Sequence, residues 1–306
     1  MGRRRKHGRA VHGILLLDKP SGMTSNAALQ AVRRLFGAAR AGHTGSLDPM
    51  ATGLLPICLG EATKISGFLL DADKRYRFTI RLGVTTDSGD ADGEVVDERP
   101  VGEIEACRVE SALASFRGEI QQVPPMHSAV KLHGQPLYRL AHKGQTVERE
   151  PRSATIHRLD LIAFDGRDIE LDVACSKGTY VRTLATELGA MLGPGGHVTA
   201  LRRTAAGPFT DADLVDLETL REQADVAGPA SLDRYLLPVD AGLPDWPAVT
   251  MHPDIADFVR QGQAVQVPGA PSAGSVRLYD RERGFFGLGT IRDDGLVAPR
   301  RLLHLG

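Results

Sequence analysis

Hydrophobic positions along this chain come in solid blocks, in alternation and at helical spacing, and each rhythm predicts a different element. Gly13 to Asp18, GILLLD, is a solid apolar block closed by Lys19, Pro20 and Gly22, which predicts a short buried strand. Ala28, Leu29, Val32, Leu35 and Phe36 then fall on one helical face, with Ser25 placed to cap the helix and Gly37 just past its end. Leu54 to Gly60 is a second apolar block. From Lys74 to Leu82 the chain alternates, Tyr76, Phe78, Ile80 and Leu82 pointing one way and Arg75, Arg77, Thr79 and Arg81 the other, as in a half-buried strand. Ile104 to Phe116 predicts an amphipathic helix stopped by Gly118. Ile169 to Cys175 alternates again, and Ser176, Lys177 and Gly178 turn into a helix whose buried stripe is Val181, Leu184, Leu188 and Met191.

After Leu201, Arg202 and Arg203 the pattern changes. Asp211 to Asp240 is acidic and helical in pattern, Leu237 to Pro247 reads as a proline-rich linker, and a short helix (Ile255, Phe258, Val259) precedes strands at Val276 to Tyr279, Phe285 to Arg292 and Leu296 to Leu303. A length of 306 residues with 42% apolar content suits one large domain plus something smaller.

The net charge of −1 looks wrong for a nucleic-acid binder, but placement matters more than the sum. Arg3, Arg4, Arg5, Lys6 and Arg9 form a basic arm without acids. Pro124 to Arg152 carries Lys131, Arg139, Lys143, Arg149 and Arg152 with His127, His133 and His142 against only Glu148 and Glu150, among turn-forming prolines and glycines. A basic, turn-rich excursion of that kind is a mobile surface loop or an insertion that orders on an anionic ligand. The exposed face of Lys74 to Leu82 is also basic, either a surface that tracks phosphates or ordinary solvated arginines. Cys58, Cys107 and Cys175 are far apart and lack CxxC spacing, so they predict buried thiols in a reducing, cytoplasmic compartment rather than disulfides or a zinc site. No segment is long and apolar enough to predict a membrane span.

Chemistry concentrates in Arg40 to Gly53, RAGHTGSLDPMATG. Asp48 stands between glycine-containing turns with Pro49 directly after it, and Gly42, Gly45 and Gly53 permit backbone conformations barred to other residues. The GHTG matches a backbone-clamping GXXG only weakly, no GK[ST] follows for a P-loop, and no serine sits in a GxSxG elbow. DSGDADG, Asp87 to Gly93, imitates a calcium loop, but alignment on Gly93 puts Ser88 first and Arg99 twelfth, so a polar turn is the better reading. Arg182 falls in the first turn of its predicted helix, where the helix dipole favours anions, and its place there makes sense with a carboxylate beside it. A lone aspartate of this kind suits a reaction in which the acid is the nucleophile or stabilises a developing cation at a glycosidic carbon.

The central loop, LLLDKPSGMTS before it, LLPICLGEATK after it, KRYRFTIRLG and CSKGTYVRTLATELG together resemble the bacterial TruB family, from about Gly13 to Arg203. The resemblance implies isomerisation of the T-loop uridine of tRNA, conventionally position 55, to pseudouridine, with no cofactor and no metal. It implies an α/β (α+β) fold: a mixed, largely antiparallel sheet flanked by helices. The expected units are a basic arm over 1–12, a catalytic domain over 13–247 with a thumb-like insertion at about 124–152, and a small PUA-like RNA-binding domain over 248–306. By resemblance Asp48 is the nucleophile, at the ribose C1′, at C6 of the base or through a glycal. Arg182 is its charge partner, Tyr76 stacks on the flipped base and serves proton transfer at C5, and Tyr180 and Leu201 line the uracil pocket. His43 stacks against the loop nucleotides left behind, and Asp90 joins the charge network. Lys19 and Lys64 are phosphate contacts or solvated lysines. The expected partner is the tRNA T arm, bound by a monomer with no obligatory protein partner. Rivals are a base-excising glycosylase, an RNA-folding protein with incidental catalysis, and a family member acting on another RNA.

Overall fold

The computed structural model describes residues 8–128, 130–132, 134–141 and 143–305. Arg3 to Lys6 of the basic arm and His133 and His142 of the basic excursion lie outside the described residues.

The first apolar block forms β1 (Gly13–Lys19), and α1 (Ser25–Leu35) follows. The cap of α1 is Thr24 rather than Ser25: the Thr24 hydroxyl accepts from the Ala27 amide at 3.1 Å. Next come β2 (Ala41–His43), β3 (Thr52–Leu59), the short helix α2 (Ser66–Leu70) and β4 (Lys74–Leu82), where the predicted alternation holds, with Phe78, Ile80 and Leu82 buried and Arg75 and Arg77 exposed. A hairpin of β5 (Val84–Thr86) and β6 (Val95–Glu98) flanks the Asp87 to Gly93 turn. Helix α3 (Ala106–Ala114) is shorter than predicted because Glu105 is an extended cap, which leaves Ile104 outside.

Gly118 opens β7 (Gly118–Gln122), which leads into the basic excursion with its short pieces β8 (Lys131–Leu132), β9 (Gln135–Pro136) and α4 (Leu137–Ala141). The chain returns through β10 (Arg152–Phe164), β11 (Asp168–Cys175), α5 (Val181–Leu192), β12 (Gly196–Ala206), β13 (Phe209–Thr210), α6 (Leu217–Ala227) and β14 (Leu236–Leu237). On α5 the buried stripe ends at Leu192 and not at Met191, which is 52% exposed: four positions from Leu188 returns to the inner face, three does not.

Apart from the two-stranded pairs β5–β6 and β8–β9, these strands form one sheet, whose path runs β14-β1-β3-β12-β4-β11-β10-β7 with β2 beside β3 and β13 beside β12. Only the β3–β12 neighbours along that path run parallel, so the sheet is mixed and largely antiparallel, as expected. The solid apolar blocks have a simple cause. Leu15 and Leu17 of β1 enter one core with α1, α3, α5 and α6, while Ile14 and Leu16 enter another on the opposite face, so both faces are covered.

The second core is shared with the C-terminal unit. There β15 (Ala248–Met251), α7 (Pro253–Arg260), β16 (Gly274–Asp280), β17 (Gly284–Ile291) and β18 (Val297–Leu302) make a four-stranded sheet in chain order, and Leu288 and Leu303 join Ile14, Leu54 and Ala206 of the large sheet. The expected linker is packed rather than free. Val239 and Leu243 are buried, and Trp246 meets Phe68 edge to face at 4.9 Å, because these apolar residues fill the seam between the two units. Lys64 belongs to this seam as well. Its ammonium pairs with Glu61 and donates to the Leu302 carbonyl, so it ties β18 to the large unit and is not a free phosphate contact.

Gly53 sets how closely β3 and β12 approach. Its φ is +93°, and a Cβ would lie 2.4 Å from the Arg203 carbonyl oxygen. Gly53→Ala is therefore expected to destabilise the fold by at least about 2 kcal/mol in denaturant titration. A change within about 0.5 kcal/mol would show that the strands part at no cost.

Candidate active site

The Asp48 loop joins β2 to β3, and its backbone is gripped from several sides. Ser25, buried at the start of α1, accepts from the Leu47 amide at 2.7 Å and donates to the Leu47 carbonyl at 3.0 Å. The Gly22 amide bonds to the Pro49 carbonyl at 2.9 Å, and the Ser21 hydroxyl to the Met50 carbonyl. Two buried cations complete the grip. Lys19 is fully buried, and its ammonium donates to the carbonyls of Pro20, Met23 and Pro49 at 2.7, 2.6 and 3.1 Å. Arg203 is 1% exposed and donates from Nε to the Leu54 carbonyl and from Nη2 to the Gly45 carbonyl. Lys19 is thus neither a phosphate contact nor a solvated lysine. Burial pushes its pKa down to about 8, opposed by the negative charge of Asp48. Gly45 and Gly53 do take positive φ, at 131° and 93°, whereas Gly42 lies within β2 and does not.

Held on this loop, Asp48 faces Arg182 in a bidentate pair, with Nη2 to Oδ1 and Nε to Oδ2 both at 2.9 Å. Arg182 also lies 3.4 Å from Asp90 and donates to the Ser88 carbonyl at 3.0 Å and the His127 carbonyl at 2.7 Å. Asp90 is in turn fixed by the Ser88 hydroxyl at 2.6 Å and the Asp92 amide at 3.1 Å. The polar turn that imitates a calcium loop therefore presents its acid to an arginine. The side chains of Arg182 and Asp90 are almost wholly enclosed, while a third of the Asp48 side chain is open to the cavity in front of it. Burial raises the Asp48 pKa. Arg182 opposes that rise, and the like charges of Asp90 and Asp92 add to it.

The cavity has a volume of about 420 Å³. Asp48, Tyr76, Tyr180, Arg182 and Leu201 all line it, with Lys74, Arg203, and His127 and Ser128 from the root of the basic excursion. Burial pushes the Tyr76 phenol up, with the Arg203 guanidinium opposing, so Tyr76 presents a neutral hydroxyl. His43 is placed elsewhere. It sits half-buried on β2, outside the described lining, and burial lowers its pKa, so it is neutral at pH 7.

The parts that Arg203, Lys74 and Ser25 play around the site escape a reading of the sequence, which offers Ser25 only as a helix cap. Arg203 falls at the composition shift that reads as a boundary, and Lys74, whose ammonium is pinned by the Leu69, Leu70 and Ala72 carbonyls, reads as the exposed start of a strand. The arginines of β4 do not form a free basic surface either: Arg75, Arg77 and Arg81 pair with Asp172, Glu170 and Asp168 of β11.

Comparison with known proteins then gives the frame. Residues 33–181 match the TruB family pseudouridylate synthase N-terminal domain, 182–244 the tRNA pseudouridylate synthase B C-terminal domain, and 247–303 the C-terminal domain of pseudouridine synthase II TruB. A protein named tRNA pseudouridine synthase B from Ectopseudomonas mendocina (strain ymp) is 56% identical over 298 residues, covering 97% of both chains. The chain belongs to the TruB family. A second protein of that name, from Nitrosococcus oceani, is 54% identical over 98% of this chain and 97% of its own. Among solved structures, a Cbf5-Nop10-Gar1 complex contains a chain with a TM-score of 0.72 and 25% identity, aligned over 95% of this chain and 84% of that one. The archaeal box H/ACA sRNP Nop10-Cbf5 complex, at 22% identity and a TM-score of 0.69 over 99% of this chain and 92% of that one, shares the fold.

Within this TruB chain the geometry gives Lys19 a structural task. Lys19→Met would take the ammonium donor from the Pro20 and Met23 carbonyls and leave the Pro49 carbonyl of the Asp48 loop to the Gly22 amide alone, and is expected to cost about 3 kcal/mol of unfolding free energy. Equilibrium unfolding in urea checks this; normal stability with lost activity would move Lys19 into the chemistry.

Proposed function

We propose that the chain isomerises a uridine of tRNA to pseudouridine, and that the target is the T-loop uridine at position 55. The observation that carries this reading is the bidentate Asp48–Arg182 pair opening onto a cavity lined by Tyr76, Tyr180 and Leu201. The names of the relatives at 54–56% identity support tRNA as the substrate over another RNA.

The reaction breaks the bond from C1′ to N1, turns the base, and joins C5 to the same C1′, with a proton leaving C5 and N1 regaining one. Product and substrate are isomers, so nothing is oxidised. Asp48 acts as a carboxylate, at C1′, at C6 or by opening a glycal route, and Arg182 keeps it charged in an enclosed site. Extrusion of the base costs a few kcal/mol, offset by stacking on Tyr76 and by the walls that Tyr180 and Leu201 provide. The neutral Tyr76 hydroxyl, on the wall of the same cavity, serves proton transfer at C5. His43, uncharged and on β2 just ahead of the Asp48 loop, stacks on nucleotides that the flipped base leaves behind. The basic excursion at about 124–152 closes over the RNA as a thumb, and the small unit at 248–306 is an RNA-binding module of PUA type.

A T-arm hairpin labelled at the target uridine tests the whole reading. Wild type is expected to yield pseudouridine, and Asp48→Asn is expected to keep its fold and lose turnover by at least about 10⁴-fold. Free uracil in place of pseudouridine would make the enzyme a glycosylase, and undiminished turnover by Asp48→Asn would remove the aspartate mechanism.

The pH dependence has a definite sign. Asp48 works ionised and its pKa is raised in the fold, so activity should fall, on acidification, at a pH above the ordinary aspartate value of about 3.9. Asp90→Asn removes a like charge and should move this acid limb to lower pH, while the plateau drops because Arg182 loses an anchor. A pH–rate profile of the two proteins gives the answer; a limb that moves upward would contradict it.

A further inference from the structure

The last residue of β7, Gln122, is 1% exposed. Its neighbours Gln121 and Val123 are exposed, so strand alternation turns Gln122 inward, to a position that apolar side chains ordinarily fill. A buried amide is costly unless both of its ends are paired. Both ends of Gln122 are paired, and with a single residue: Oε1 accepts from the Tyr180 amide at 2.9 Å, and Nε2 donates to the Tyr180 carbonyl at 3.2 Å.

Tyr180 is the N-cap of α5, and its own side chain makes no capping bond. It follows a turn in which Gly178 has a φ of +81° and the Thr179 hydroxyl donates to the Ser176 carbonyl, so the turn is braced ahead of Tyr180, while the Tyr180 amide itself relies on Gln122. The side chain of Tyr180 lines the cavity, and two residues later α5 presents Arg182 to Asp48. The strand that supplies Gln122 also leads directly into the basic excursion, whose root touches the same corner a second time through the His127 carbonyl and Arg182 Nη2, 2.7 Å apart. The exit of β7 thus holds the α5 corner at the backbone of Tyr180 and at the guanidinium of Arg182.

We propose that Gln122 is a positioning residue for the reaction: it clamps the backbone of Tyr180 so that Tyr180 and Arg182 are aimed at the cavity, and it links the placement of the basic excursion to the Asp48–Arg182 pair. This rests on the reading that Asp48 and Arg182 carry the chemistry. The clamp itself is independent of that reading, because the Tyr180 amide reports on it directly.

The experiment compares wild type with Gln122→Leu and with Gln122→Met, whose unbranched thioether fills a similar volume and protects against a packing failure in the first variant. Gln122→Glu, which keeps the acceptor for the Tyr180 amide and loses the donor to its carbonyl, is the conservative control. Hydrogen exchange resolved at Tyr180 is measured in the free proteins, and kcat and KM on the T-arm hairpin. The expected result is exchange at Tyr180 faster by about tenfold or more in the Leu and Met variants. With it kcat falls about 10-fold to 100-fold while KM stays within about threefold, because misaimed groups cost the chemical step more than binding. Gln122→Glu should lie between these variants and wild type in kcat. Unchanged exchange at Tyr180, or unchanged kcat, overturns the proposal, as does a loss of kcat that merely follows a fall in melting temperature and disappears on cooling. If exchange responds as expected while wild type itself forms no pseudouridine, the functional reading falls and the link to chemistry falls with it.

Discussion

A carboxylate paired with an arginine in an enclosed site is the interaction on which the rest of this molecule depends. Removing Asp48 and Arg182 from water is expensive, and their mutual attraction offsets that cost only if the geometry is good and the remaining donors are satisfied. Both conditions hold. Arg182 gives two bonds to Asp48 and spends its other donors on the carbonyls of Ser88 and His127, with Asp90 close by as a second anion. The arrangement leaves the carboxylate ionisable but raised in pKa, with the open third of its side chain facing the cavity.

Aim matters as much as charge, and the aim comes from cations that never meet solvent. Lys19 and Arg203 spend their donors on backbone carbonyls of or beside the Asp48 loop, which turns a glycine-containing connection into a rigid platform. The close β3–β12 approach at Gly53 brings Arg203 there, and the helix start at Ser25 fastens Leu47 from the other side. A loop held by side chains from β1, α1 and β12 inherits the rigidity of the sheet. That rigidity is what preorganised catalysis requires.

Much of the architecture follows from local pattern. The alternation of Lys74 to Leu82 gives β4 with its faces correctly assigned, and the solid block at β1 gives a strand buried on both sides. Glycines with a following proline around Asp48 mark a displayed acid, and an arginine at the wrong end of a helix points to a nearby carboxylate. The family motifs name Tyr76, Tyr180 and Leu201, and the fold gathers them with Asp48 and Arg182 around one cavity. Local pattern fails where a charge has a distant partner. The arginines of β4 look like a basic surface until β11 is laid beside them, with Asp168 directly opposite Arg81 and with Asp172 and Glu170 diagonal to Arg75 and Arg77. A proline-rich stretch such as Leu237 to Pro247 looks like a linker until the C-terminal sheet arrives to cover Val239, Leu243 and Trp246.

The sequence by itself determined the periodic elements, the displayed Asp48, and, through motif resemblance, the family; the motifs also name side chains that the fold gathers around one cavity. Tertiary structure alone decided which polar residues face inward: Lys19, Arg203 and Gln122 are, in sequence, indistinguishable from residues that sit in water. The reason is physical. Apolar periodicity is a local signal, repeated every two or four residues and imposed by the geometry of the element itself. A buried cation or amide is stable only when carbonyls, amides or carboxylates from remote segments meet it at hydrogen-bond distance, and that meeting is a property of the folded chain.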